Sequence, residues 1–180
     1  MKLKGHGIMV KIAVLGLGTS LAEFKVEDFD MSVGVNDIWR AVKSEAVVCL
    51  DYRRAFTQDR WKYIETCKPK AFYSQIVEYD TKPEFVKVNL APGYPDGGCN
   101  INTSYLQKSF CSPFVAVQVA WKYYFADEIH LFGVDMVNHP NLNGEVCGKI
   151  KLHFQNLKNA LTEKNCHLMV HGSGILSDLL

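Results

Sequence analysis

The sequence has no surplus of either charge. Twenty Lys and Arg residues stand against nineteen Asp and Glu, for a formal net charge of +1. A dedicated nucleic-acid binder carries a basic excess or a basic stripe, so nucleic acid is not an expected partner. No apolar run approaches the length of a membrane span, and the lysine-bearing N-terminus lacks a signal-length apolar core. The six cysteines (Cys49, Cys67, Cys99, Cys111, Cys147, Cys166) contain no CxxC pair. No ligand pair has the spacing of a zinc site, and Cys49 inside an apolar run reads as a small buried thiol. A reduced, cytoplasmic chain is expected. Internal repeats, low-complexity tracts and linkers are absent too. The 180 residues are expected to form one domain, 1–180, with 1–10 as an extension ahead of the first strand and Met9 as an alternative start.

What is present is an alternation of apolar runs and amphipathic segments. Strands are predicted at Lys11–Leu15, Met31–Val35, Ala46–Leu50, Ala71–Ser74, Phe85–Val88, Ile129–Val134 and His167–Val170. Runs that stay apolar instead of alternating suit strands covered on both faces. Helical stripes are formed by Phe56, Arg60, Tyr63 and Cys67, by Phe114, Val117, Trp121 and Tyr124, and by Ile150, Phe154, Leu157 and Leu161. Ser112 and Pro113 suit the start of the second helix, and Pro69 suits a stop after the first. The order implies βαβ units, and so an α/β fold: a Rossmann-like three-layer αβα sandwich with a mostly parallel central sheet. The long segment 91–110 carries Pro92, Gly93, Pro95, Gly97 and Gly98, a composition expected of a functional lid or of disorder.

Polar residues gather directly after the apolar runs, where open α/β sheets bind ligands. Gly16, Gly18, Thr19 and Ser20 follow the first run, Asn36 and Asp37 the second, Asp51 the third, and Asp135, Asn138 and His139 a later one. The glycine-rich turn would let a phosphate approach backbone N–H groups at a helix start. Two glycines with Asp37 downstream partly match the dinucleotide fingerprint, whose third glycine is Leu21 here. An NAD-linked oxidoreductase therefore stays open. Asp135 suits ribose, a metal or a structural turn, and Asp51 with Asp135 could hold Mg²⁺, although nothing requires one. His139 is read as a surface turn or a general base. His153 is read as solvated, and His171 as part of a small-residue turn. Arg53 and Arg54 read as a solvated helix start able to pair with phosphate. Trp39, Trp61 and Trp121 read as core.

The segments Leu15-Gly16-Leu17-Gly18-Thr19-Ser20-Leu21, Phe29 to Asn36 and Ile129 to Asp135 occur in an order that resembles the Rossmann-like glycosyltransferases of the bacterial sialyltransferase type, and the related motility accessory factor and hydroxymethylpterin diphosphokinase-like proteins. The resemblance covers about residues 11–176. It implies a nucleotide, of cytidine or similar type, over Gly16 and Gly18, with Asn36 and Ser112 touching its phosphate or ribose and Asp135 nearby. It implies the loop 91–110 near the donor site, with Tyr94 and Tyr105 in it. This chain has Leu17 where the pattern has asparagine and Thr19 where it has proline.

These readings converge on a nucleotide-binding protein, expected to be a transferase acting on a nucleotide-activated sugar or related donor. Gly16, Gly18, Thr19, Ser20, Asn36, Ser112 and Asp135 are its expected nucleotide contacts, and His139 its expected base. The expected partners are a small nucleotide ligand and a glycan acceptor, with no required cofactor. A non-catalytic nucleotide- or glycan-binding module is the other alternative.

Overall fold

The structure is a computed structural model that describes residues 9–82, 84–91, 99–136 and 143–179. Its strands, in chain order, are β1 (Lys11–Leu15), β2 (Met31–Val35), β3 (Ala46–Val48), β4 (Ala71–Ser74), β5 (Phe85–Lys87), β6 (Leu90–Ala91), β7 (Leu106–Gln107), β8 (Glu128–Phe132) and β9 (His167–Val170). Its α-helices are α1 (Gln58–Thr66), α2 (Ser112–Tyr124) and α3 (Gly144–Thr162). Seven strands form one sheet in the order β5-β4-β3-β2-β1-β8-β9. Every neighbouring pair is parallel, with β1 in register against β2 (Ile12 opposite Met31) and against β8 (Lys11 opposite Glu128). β6 and β7 form a separate parallel pair.

The apolar runs are explained by two cores, one on each face of the sheet. Successive side chains of a strand point to opposite faces. Ile12, Val14, Val33, Val35, Ala46 and Val48 therefore join α2 and α3 in one core. Ala13, Leu15, Val47, Cys49, Phe72 and Phe132 join α1 in the other. This is the αβα layering expected from the sequence.

The two faces differ in how they are built. Helix α2 is buried almost all round, from Phe114 to Ala120. Beneath it lies the sheet, and on one flank Phe154 of α3 meets Phe114 edge-on at 5.5 Å. Residues 99–110 flank it elsewhere, where Gln107 and Gln118 exchange two hydrogen bonds: the Gln107 N–H to Oε1 at 2.8 Å, and Nε2 to the Gln107 carbonyl at 2.9 Å. On the opposite face, 3₁₀ turns and aromatic rings replace helices in most crossings. Phe24 and Phe29 lie against Phe132, each with centroids 5.6 Å away. Trp61 stacks on Tyr79 at 5.9 Å. Among the described residues, no helix is long and apolar enough to cross a membrane.

Candidate functional site

The strand order reverses between β1 and β8, because the chain builds outward from β1 through β5 and then returns to place β8 on the other side. In an open parallel sheet, a ligand crevice lies outside the carboxyl ends of the strands at such a switch point. The structure brings the two flanking turns into direct contact there. The Gly16 N–H donates to the Phe132 carbonyl and the Gly18 N–H to the Gly133 carbonyl, both at 2.8 Å. A Cβ on Gly16 would stand 2.3 Å from the Gly133 oxygen, and one on Gly18 2.6 Å from Oδ2 of Asp135. Gly133 itself has φ +65°. Small residues are thus required here for backbone-to-backbone approach. The turn continues as a 3₁₀ segment, Thr19–Glu23, and not as the α-helix start that the glycine-rich motif implied.

Thr19, Ser20 and Asp135 tie the same two turns together. Oδ2 of Asp135 accepts from Thr19 Oγ1 at 2.8 Å and from the Ser20 N–H at 3.1 Å. Oδ1 accepts from Ser20 Oγ at 2.5 Å, and that hydroxyl accepts in turn from the Gly133 N–H at 2.8 Å. Asp135 is only 6% exposed. Burial alone would raise its pKa, but the hydrogen bonds from Ser20 and Thr19 outweigh it and hold the carboxyl below its ordinary value. Both carboxylate oxygens are engaged, so this group holds the two turns together. Asp51 is exposed, and no group of three or more His, Cys, Asp or Glu among the described residues is arranged to hold a metal.

One strand over, the arrangement is looser. Asn36 follows β2 in the left-handed conformation, φ 52°, which asparagine tolerates better than most residues. Its N–H donates to the Val48 carbonyl at 2.9 Å, which fixes the backbone. Its side chain bridges two elements at the edge of hydrogen-bond range. Nδ2 donates to Oδ2 of Asp51 at 3.4 Å, and Oδ1 accepts from Ser112 Oγ at 3.4 Å. Ser112 opens α2, with Pro113 in the first turn where a missing N–H does no harm. The positive end of a thirteen-residue helix therefore lies beside Asn36. Such weak contacts yield readily to a ligand that offers better ones.

Asp37, the acid on which the dinucleotide reading depended, is committed elsewhere. It is 0% exposed, and Arg60 of α1 grips it through two bonds, Nε to Oδ2 at 2.9 Å and Nη2 to Oδ1 at 2.6 Å. Arg40 approaches at 3.4 Å. Asp37 is thus paired with Arg60, and the two glycines are followed by a 3₁₀ turn instead of the helix start of the dinucleotide fingerprint. Sequence reasoning missed this pair because Arg60 lies 23 residues downstream, on a helix whose partner only the fold reveals.

Other candidate residues are placed as follows. His139 and Tyr94 lie outside the described residues. His153 is not solvated: it is 6% exposed, and its Nδ1 lies 2.9 Å from Ser109 Oγ. His171 stacks on Phe132 at 4.0 Å and reaches Nδ1 of His130 through Nε2 at 2.9 Å, so it belongs to an aromatic cluster. Of the segment 91–110, the part from 99 onward is fastened to α2. Besides the glutamine pair, Lys122 donates to the Thr103 carbonyl, and within the segment the Asn100 N–H donates to Gln107 Oε1 at 2.9 Å. Residues 92–98 lie outside the description. Trp61 is buried as expected.

No protein-family profile and no curated protein matches the chain. Among solved structures it is similar to the sialyltransferase CstII from Campylobacter jejuni, in complex with a substrate analogue, CMP-3FNeuAc. The identity is 15% and the TM-score 0.48, over 91% of this chain and 79% of that one.

Proposed function

We propose that the protein binds a nucleotide through its phosphate at Asn36, Ser112 and the first turn of α2, and transfers a sugar or related group from that nucleotide. The observation that carries the reading is the Asn36–Ser112 contact at 3.4 Å, set at the carboxyl end of a central parallel strand and the positive end of a buried helix. An anion there would accept from the Asn36 carboxamide, the Ser112 hydroxyl and helix N–H groups. Gly16, Gly18, Thr19, Ser20 and Asp135 build the adjoining floor and border the nucleotide.

In the transfer step, an acceptor hydroxyl oxygen of a glycan bonds to the anomeric carbon of the donor. The bond from that carbon to the donor phosphate oxygen breaks, and the phosphate leaves with the electron pair. His139 takes the hydroxyl proton. Positioning and stabilisation of the leaving phosphate's charge do most of the work. A panel of nucleotide sugars, assayed with and without Mg²⁺ for hydrolysis and transfer, tests the reading. Asn36→Ala and Ser112→Ala are expected to lower turnover tenfold or more. Turnover unaffected by both would sink the site assignment.

A second reading is a nucleotide- or glycan-binding module without turnover. The closed Thr19–Ser20–Asp135 group favours it, because those hydroxyls and that carboxylate are already satisfied by one another. It requires ligand-induced stabilisation with no turnover on any donor. Turnover that His139→Ala abolishes would exclude it.

A further inference from the structure

Beyond β3 the chain makes a short 3₁₀ turn, Arg53–Ala55, before α1. A cleft of about 730 Å³ opens there, lined by Tyr52, Arg53, Arg54, Phe56, Trp61 and Glu78 among others. Asn36, Ser112 and the glycine-rich turn do not line it. Consecutive arginines in this turn each lie against an aromatic ring. Cζ of Arg53 stands 5.3 Å from the Trp61 centroid, and Cζ of Arg54 stands 5.5 Å from that of Tyr52. Neither guanidinium has a carboxylate within ion-pair distance among the described residues. The nearby Glu78 carboxylate instead accepts from the Arg53 backbone N–H at 2.7 Å. That bond ties the turn to the segment after β4 and leaves the side chain's donors unspent.

The contrast with Arg60 is informative. Its guanidinium also lies against a ring, that of Phe56 at 5.0 Å, but it is paired with Asp37 through two hydrogen bonds. Arg53 and Arg54 have comparable ring contacts and no such anion among the described residues. A guanidinium held against a ring loses less freedom on binding than an unsupported one. Both arginines line the same cleft, and guanidinium groups bind phosphate oxygens in bidentate fashion.

We propose that this cleft is a second anion site, independent of the Asn36–Ser112 site, which takes the phosphate group of a phosphorylated small molecule. Arg53 and Arg54 hold the phosphate, and Tyr52 and Phe56 flank the rest of the ligand. Trp61 supplies the readout, because an anion bound to the Arg53 guanidinium beside its ring changes the indole's electrostatic surroundings. Tryptophan fluorescence would be followed during titration with sodium pyrophosphate at constant ionic strength. Parallel titrations would use inorganic phosphate, a hexose 1-phosphate and CDP.

A saturable change with pyrophosphate is expected. Its midpoint should move at least tenfold higher in Arg53→Gln and in Arg54→Gln. It should stay unchanged in Lys43→Gln, an equal loss of charge at an exposed residue outside the cleft. Tighter binding of the hexose phosphate or of CDP would support the site and identify the source of its phosphate. Unchanged melting temperatures would show that the variants are folded, and Trp61→Phe should silence the signal. The proposal is overturned by no saturable change with any probe, or by equal midpoints in wild type and both arginine variants. A change lost in Asn36→Ala but kept in Arg53→Gln would place the anion in the other site and overturn it equally.

Discussion

Replacing Ser20 by alanine tests whether the two turns at the switch point are held together as described. Ser20 is 2% exposed, and its hydroxyl makes two bonds, donating to Asp135 Oδ1 at 2.5 Å and accepting from the Gly133 N–H at 2.8 Å. Removing it takes a charge-assisted donor from a buried carboxylate, an effect of about 1.5–3 kcal/mol, and strands a buried N–H, a further 1–3 kcal/mol or so. Because the two losses share one site and are not strictly additive, the expected destabilisation is about 3 kcal/mol. For a chain of this length that corresponds to a fall in Tm of roughly 6–12 °C. Urea denaturation should show a lower midpoint with an unchanged slope. The pH dependence gives a second signature. Asp135 is held below its ordinary value, so its contribution is present above the unfolded pKa of about 3.9 and is lost as pH falls through the native value. The gap between wild type and Ser20→Ala should therefore narrow in acid. A destabilisation below about 0.5 kcal/mol, the level of an ordinary surface substitution, would refute the reasoning.

Further outcomes follow from the same contacts. Arg60→Ala leaves the buried Asp37 carboxylate with Arg40 at 3.4 Å as its ion-pair partner among the described residues and should destabilise by about 3 kcal/mol, read by chemical denaturation; a change near zero would mean the pair carries no weight. His130 and His171 are both pushed below the ordinary imidazole value, chiefly by burial. The unfolded chain thus takes up protons first, and stability should be constant above about pH 6.5 and fall below it through the window down to the native values; a double replacement by Gln should flatten that slope. Burial pushes the Cys49, Cys111 and Cys166 thiols up to about 12, so at pH 8 in the native protein they should react with a disulfide reagent far more slowly than after unfolding.

The sheet was readable because buried parallel strands leave continuous apolar runs, as at β1 and β3; all seven strands of the main sheet overlap predicted ones, although β5 at the sheet edge is half-buried and ends in the exposed Lys87. Strand ends were less distinct. Val134 and Leu50 are apolar but extend past β8 and β3, because burial in a loop leaves the same mark in sequence as burial in a strand. The stripe of α2 was visible, yet its burial on every side was not, since the glutamine pair and residues 99–110 cover the remaining face. His153 was misread for a similar reason. It lies three residues after Ile150, at the margin of the apolar stripe, and Phe110 and Phe114 cover it. At the site, the motif residues were visible but their division of labour was not. Thr19, Ser20 and Asp135 meet across 115 positions of sequence, and only the β1–β8 pairing brings them together.

The nucleotide site itself is tested most directly by thermal unfolding with CMP, CDP, UDP, GDP and ADP, each with and without Mg²⁺, on wild type and on an Asn36→Ala/Ser112→Ala variant. At a hundredfold excess over the dissociation constant, binding stabilises by about 2.7 kcal/mol. At this chain length that is a rise in Tm of roughly 5–10 °C. The expected result is such a rise with one nucleotide family in wild type and little or none in the variant. No rise with any nucleotide, or an equal rise in the variant, would contradict the account.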